Sequence, residues 1–131
     1  MAKDWSPDGF ILDLDGTVYT GSRPIPGAAE AVAYLRAKGK RIVFLSNRGN
    51  ISRRMCRERL EAIGIPCEAE DIILTSSVVS RYLAEHEPDA RVWVLGEQGL
   101  RDELAAHGVR FAARPQEADR LVVTLHETLT Y

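Results

Sequence analysis

The sequence predicts an α/β fold, a mostly parallel sheet with helices on both of its faces, and three observations carry the prediction. Short continuous apolar runs alternate along the chain with segments of helical periodicity. Glycines stand just behind several of those segments, where helices stop. The 131 residues suffice for one ordinary domain and are few for two. Regular alternation of this kind argues for parallel strands joined by right-handed crossovers.

Gly9 to Leu12 reads as the first buried strand, and Pro26 to Lys38 as a helix with Ala28, Ala29, Val32 and Leu35 on one face, closed by Gly39. Arg41 to Leu45 repeats the strand. A second helix follows, which Ser52 can cap, with Cys56, Leu60 and Ile63 inward and Gly64 at its end. Ile72 to Leu74 is a short third strand. Ser76 or Ser77 can cap the helix after it, in which Val78, Val79, Tyr82 and Leu83 recur at helical spacing until Pro88. Val92 to Leu95 and Leu121 to Thr124 are two more strands, bracketing a helix from about Leu100 to His107 with Gly108 behind it. The sum is five strands and four helices, with loops near Glu87-Pro88-Asp89 and Arg114-Pro115-Gln116 and no internal repeat.

Composition narrows the function classes. With 45% hydrophobic and 27% charged residues and a formal net charge of -2, the chain offers no electrostatic reason to bind nucleic acid or a membrane surface. No apolar run approaches the ~20 residues of a membrane span, and Met1-Ala2-Lys3-Asp4-Trp5 lacks the layout of a signal peptide, so a cytoplasmic location is expected. Cys56 and Cys67 match neither a redox pair nor a zinc set and are expected to be small core residues. His86, His107 and His126 are scattered and are expected at the surface or at helix ends rather than as ligands.

The run Phe10-Ile11-Leu12-Asp13-Leu14-Asp15-Gly16-Thr17 carries the chemistry. An Asp-x-Asp-Gly-Thr pattern should arise by chance in roughly one chain per thousand of this length at average usage, so the signal is specific. Ligands of open parallel sheets bind beyond the carboxyl ends of the strands, and Asp13 and Asp15 stand at that end. Residues two apart in an extended chain point the same way, so both carboxylates can reach one crevice. Their mutual repulsion suits a magnesium ion or an acid/base pair; a solvated Asp-Gly turn is the competing reading. A calcium loop of EF-hand type fails, because its sixth and twelfth places, counted from Asp13, hold Val18 and Pro24.

Asp13-Leu14-Asp15-Gly16-Thr17 resembles the first motif of the haloacid dehalogenase (HAD) superfamily of aspartate-nucleophile phosphatases, and Ile42-Val43-Phe44-Leu45-Ser46 its second motif. Five further segments resemble the nitrophenylphosphatase-like branch, which inserts an α/β cap after the second motif. They are Ile25-Pro26-Gly27-Ala28, Leu45-Ser46-Asn47, Ile73-Leu74-Thr75-Ser76, Val94-Leu95-Gly96 with Gly99-Leu100, and Thr130-Tyr131. The resemblance spans essentially the whole chain and implies a three-layer, Rossmann-like parallel sheet. It implies that Asp13 attacks the phosphorus of a monoester and that Asp15 protonates the leaving oxygen and later deprotonates water. Mg²⁺ would be held by the Asp13 carboxylate and the Asp15 backbone carbonyl. Ser46, the Asn47 backbone and N–H groups near Gly16 would hold phosphate oxygens. Arg48 departs from the branch, which often has a small polar residue there; contact with phosphate and solvation are both open to it.

The family also uses a lysine from a third motif and an acidic cluster from a fourth. Lysine occurs only at Lys3, Lys38 and Lys40, so none follows Ser46. Val92-Trp93-Val94-Leu95-Gly96-Glu97 with Asp102 imitates a strand ending in the fourth motif's acids, although Glu97 stands where aspartate is expected. Glu97 reads equally as a helix-start acid favoured by the dipole. The expectation is therefore that residues 1–77 form the N-terminal half of a catalytic core and 78–131 the first part of a cap, with one five-stranded domain over 1–131 as the alternative. Such an incomplete core exposes an apolar sheet edge, and self-association is expected. The expected partner in catalysis is a small phosphorylated metabolite. The residues choose neither among nucleotides, sugar phosphates, phosphoglycolate and pyridoxal phosphate nor between phosphatase and phosphomutase. A degenerate relative acting by association, without catalysis, is the alternative function.

Overall fold

Two parallel sheets of three strands each, one short hairpin and four helices make up the α/β fold in the computed structural model, which describes residues 6–127. Thr130-Tyr131, Lys3 and the rest of Met1 to Trp5 lie outside the described residues. The chain separates into two compact units. One comprises the described residues up to Ser46 with Arg57–Ile73, the other Asn47–Cys56 with the described residues from Leu74 onward.

In the first unit, β1 (Gly9–Asp13) is followed by a hairpin of β2 (Tyr19–Thr20) and β3 (Arg23–Pro24), then α1 (Ala28–Ala37) and β4 (Arg41–Ser46). β1 and β4 pair in parallel, with Phe10 opposite Ile42 and Asp13 opposite Leu45. The strand order is β1-β4-β5, β5 being Ile72–Leu74. Ile42, Phe44 and Ile72 are buried, and α1 packs against β4. The alternate residues face outward: Ile11 is 71% exposed, and Leu45 and Ile73 are exposed as well. Continuous apolar strands led to an expectation of helices on both faces. Among the described residues this second face stays open, since an apolar run records a strand's demand for cover and not whether cover is present.

The second unit takes its sheet from β6 (Arg91–Leu95), β7 (Arg110–Phe111) and β8 (Arg120–Val123), in the order β7-β6-β8, all parallel. Its core joins Val92 and Val94 of the central strand to Leu83 of α3 (Thr75–His86) and to Leu100 and Leu104 of α4 (Gln98–Ala106). Each fully buried aliphatic of this kind contributes about 1.5–3 kcal/mol in gross terms. The opposite face pairs Trp93 with Leu121 and Leu95 with Val123, and Leu95, Leu121 and Val123 are exposed.

Helix α2 (Arg53–Ala62) starts as the sequence suggests: Ser52 Oγ accepts the Met55 N–H at 3.2 Å. Gly39, Gly64 and Gly108 all adopt positive φ behind helices, and the next N–H returns to a carbonyl five residues back, as Ile65 does to Leu60 at 2.9 Å. Helix α3 departs from expectation. It begins at Thr75, Val78 and Tyr82 are exposed, and its inward face is Ser76, Ser77, Ser80 and Leu83. Each serine is satisfied locally or across the unit. Ser77 Oγ accepts the Leu74 N–H, Ser80 Oγ donates to the Ser76 carbonyl at 2.7 Å, and Ser76 Oγ donates to the Ile51 carbonyl at 2.6 Å. Small hydroxyls allow a close approach that the apolar side of the helix could not.

Candidate active site

At the tip of β1 the chain turns on one carbonyl. Leu14 is fully buried, and its carbonyl accepts N–H groups from Thr17, Val18 and Tyr19 at 3.1, 2.9 and 3.2 Å. Gly16 enters the left-handed region at φ 86 and donates to the Tyr19 carbonyl at 2.7 Å. Tyr19 is buried behind this turn, with the Arg59 guanidinium 5.3 Å from its ring centre. With Leu14 anchored inward, its neighbours Asp13 and Asp15 stand on the other side of the backbone, Asp13 exposed and Asp15 half-buried. Asp13 makes no ion pair or side-chain hydrogen bond among the described residues.

Ser46 closes β4, buried to 3% exposure. The register puts Asp13 opposite Leu45, so Asp13 and Ser46 lie at the same end of adjacent parallel strands, which run about 4.8 Å apart. Gly16 follows in the turn. Asn47 is exposed, follows Ser46 directly and belongs to the second unit. Arg48 lies 3.7 Å from the Glu127 carboxylate.

The imitation of a fourth motif at Glu97 and Asp102 has a different use. Asp102 accepts from Gln98 Nε2 at 2.8 Å and lies 3.5 Å from Arg54. Glu97 precedes α4 without capping it through its side chain. Its two oxygens take the Glu127 N–H at 2.7 Å and Asn50 Nδ2 at 3.0 Å. Those bonds, the backbone one first, hold the Glu97 carboxyl below its ordinary pKa. Glu103, 3% exposed, accepts Arg53 Nε at 2.6 Å and the Arg53 N–H at 2.9 Å. Sequence reading missed Asn50, Glu97 and Glu103 as a group, because their pairings span 47 and 50 residues and leave no local period.

The remaining titratable groups behave as structure. Cys56 and Cys67 are buried and stand outside any disulfide among the described residues, and burial pushes the Cys67 thiol up to about 11. His86 ends α3, its Nδ1 3.1 Å from the Tyr82 carbonyl and its ring stacked on Tyr82; His107 sits at the end of α4. Among the described residues no group of three or more His, Cys, Asp or Glu is placed to hold a metal ion. An exposed carboxylate at a strand tip, as at Asp13, is a donor type that Mg²⁺ uses. This hard cation takes one or two carboxylates and keeps the rest of its shell for water and phosphate oxygens. Among the described residues no helix is long and apolar enough to cross a membrane.

Residues 10–110 match the haloacid dehalogenase-like hydrolases. The chain is 58% identical over 126 residues to the sugar-phosphatase AraL of Bacillus subtilis, covering 96% of this chain and 46% of that protein. Among solved structures, a p-nitrophenyl phosphatase from Archaeoglobus fulgidus superposes with a TM-score of 0.87 at 34% identity, over 95% of this chain and 47% of that one. A glycerol phosphate phosphatase from Mycobacterium tuberculosis in complex with magnesium superposes with a TM-score of 0.80 at 30% identity, over 95% and 37%. This chain belongs to the haloacid dehalogenase-like hydrolases, in their nitrophenylphosphatase-like branch. It spans about half the length of these relatives.

Proposed function

We propose that the chain carries the nucleophile-bearing part of a phosphomonoester hydrolase that works through an aspartyl-phosphate on Asp13. The observation that supports this reading most is the Asp13 carboxylate, exposed at the end of β1, beside the end of β4 that carries Ser46, and engaged by no cation among the described residues. An Asp13 oxygen forms a bond to phosphorus as the ester P–O bond breaks, and the departing oxygen takes a proton from Asp15. Water then attacks the phosphorus while Asp15 takes its proton back. The bond between phosphorus and Asp13 breaks and phosphate leaves. Ser46 Oγ, the Asn47 N–H and N–H groups of the turn at Gly16 hold the non-bridging oxygens. Magnesium, when bound by the Asp13 carboxylate and the Asp15 backbone carbonyl, neutralises charge between nucleophile and phosphate.

In this reading residues 1–77 are the first half of the core and 78–131 the start of the cap. The chain covers 46% of the 58%-identical relative, and no lysine follows Ser46 within this chain. The name of the 58%-identical relative makes sugar phosphates the first substrate class to try. The test is hydrolysis of p-nitrophenyl phosphate with magnesium, together with intact mass of acid-quenched protein. Wild type is expected to gain one phosphoryl group, and Asp13→Asn to gain none and to lose about 10³-fold or more in rate. Equal rates would remove Asp13 from the mechanism.

One observation favours a second reading, association without catalysis: β1 is an edge strand with Ile11 71% exposed, beside exposed Leu45 and Ile73. Sedimentation should then show self-association that Ile11→Lys reduces; a wild-type monomer at all concentrations overturns it.

A further inference from the structure

The segment after β4 is held unusually firmly within the second unit. Gly99 lies so close to it that a Cβ there would come within 2.5 Å of the Asn50 carbonyl oxygen and of Ile51 Cα. At Gly49, a Cβ would stand 3.1 Å from Thr124 Cγ2. Ser76 Oγ donates to the Ile51 carbonyl, and Glu103 takes both the N–H and the guanidinium of Arg53. Asn50 is 2% exposed, and its Oδ1 finds no donor among the described residues while its Nδ2 is given to Glu97. A buried acceptor without a donor costs about 1–3 kcal/mol, so an apolar residue would serve stability better at this position. Asn50 is therefore explained by what its amide N–H ties together. Glu97 completes the tie, because its second oxygen holds the Glu127 N–H beyond the end of β8.

We propose that Glu97 is a positioning residue for phosphate binding: through Asn50 it holds the Asn47–Ser52 loop to the ends of β6 and β8, and so sets the Asn47 backbone. The proposal rests on the phosphatase reading above, in which the Asn47 N–H holds a phosphate oxygen. Glu97 touches no substrate. Its effect runs through one hydrogen bond between side chains and three residues of chain, which makes the pair suitable for a double-mutant cycle.

The experiment measures inorganic phosphate affinity by calorimetry in the presence of magnesium, and melting temperature, on the full chain. The variants are Glu97→Ala, Asn50→Asp and the double variant Asn50→Asp/Glu97→Gln. In Asn50→Asp two carboxylates face each other. In the double variant the amide introduced at position 97 donates to the carboxylate introduced at position 50, while its oxygen still accepts the Glu127 N–H, so the bond is remade with reversed polarity. Each single variant should weaken phosphate binding by about 10-fold, the loss of one charge-assisted hydrogen bond, and the double variant should recover to within about 2-fold of wild type. Unchanged affinity in both single variants overturns the role of Glu97 and leaves the phosphatase reading intact. Should Glu97→Ala fail to fold, the reversed pair decides: affinity no better than in Asn50→Asp overturns the proposal. A wild-type chain that binds no phosphate overturns the phosphatase reading and this role with it.

Discussion

Asp13 in the first unit and Glu103 in the second are both carboxylates next to apolar elements, yet their surroundings are opposite. Asp13 ends a strand, is exposed, and has no ion pair or side-chain hydrogen bond among the described residues. Glu103 lies inside α4 at 3% exposure, with a guanidinium at 2.6 Å and a backbone N–H at 2.9 Å. A buried carboxylate held by a guanidinium and a backbone N–H is a poor nucleophile, whereas one left at a strand tip is open to an electrophile. Glu97 belongs with Glu103: its oxygens are occupied by Asn50 and Glu127. The same chemical group is therefore left open to solvent at a strand tip in one unit and consumed by tethering in the other.

The contrast breaks most visibly at Asp13. Asp13→Asn should leave the melting temperature within a degree or two while abolishing phosphoryl uptake, about 4 kcal/mol of lost transition-state stabilisation at 10³-fold. A large fall in melting temperature would mean that Asp13 is structural after all. Arg53→Ala should do the reverse. It removes the main cation from buried Glu103 and should destabilise the chain by about 2–4 kcal/mol in urea denaturation, because a buried carboxylate is left with one N–H. A loss under 1 kcal/mol would show that Glu103 is solvated.

The smallest effect concerns Cys67. Its folded pKa is raised above the ordinary 9.0 to about 11 by burial, so the unfolded chain loses the thiol proton first as pH rises. Stability from this group is complete below pH 9 and declines as pH climbs toward 11. Cys67→Ala should flatten that decline, read as melting temperature against pH; an unchanged slope would place the alkaline sensitivity elsewhere.

Much of this molecule was legible from local pattern. The strand at Phe10, the helix stops at Gly39, Gly64 and Gly108, and the Ser52 cap are short-range matters of periodicity and backbone freedom, and they stand where expected. The hairpin of β2 and β3 escaped notice because each strand has two residues, although Gly21 with positive φ between Tyr19-Thr20 and Arg23 is a turn signal. Strand β7 is equally short. In α3 the apolar spacing was right for Val79 and Leu83, which pack on the core, while Val78 and Tyr82 are exposed and Ser76, Ser77 and Ser80 complete the inward face.

By itself the sequence determined the alternation of strands and helices and the candidate acids at the tip of β1, which are written in local pattern, and it pointed to the family through motifs spread along the chain. Only the tertiary structure decided the strand order within each sheet, which sheet faces stay open among the described residues, and that Glu97 and Glu103 bind Asn50 and Arg53. The physical reason is distance along the chain: a hydrogen bond between residues 47 or 50 apart depends on where folding brings them, and no local propensity encodes it.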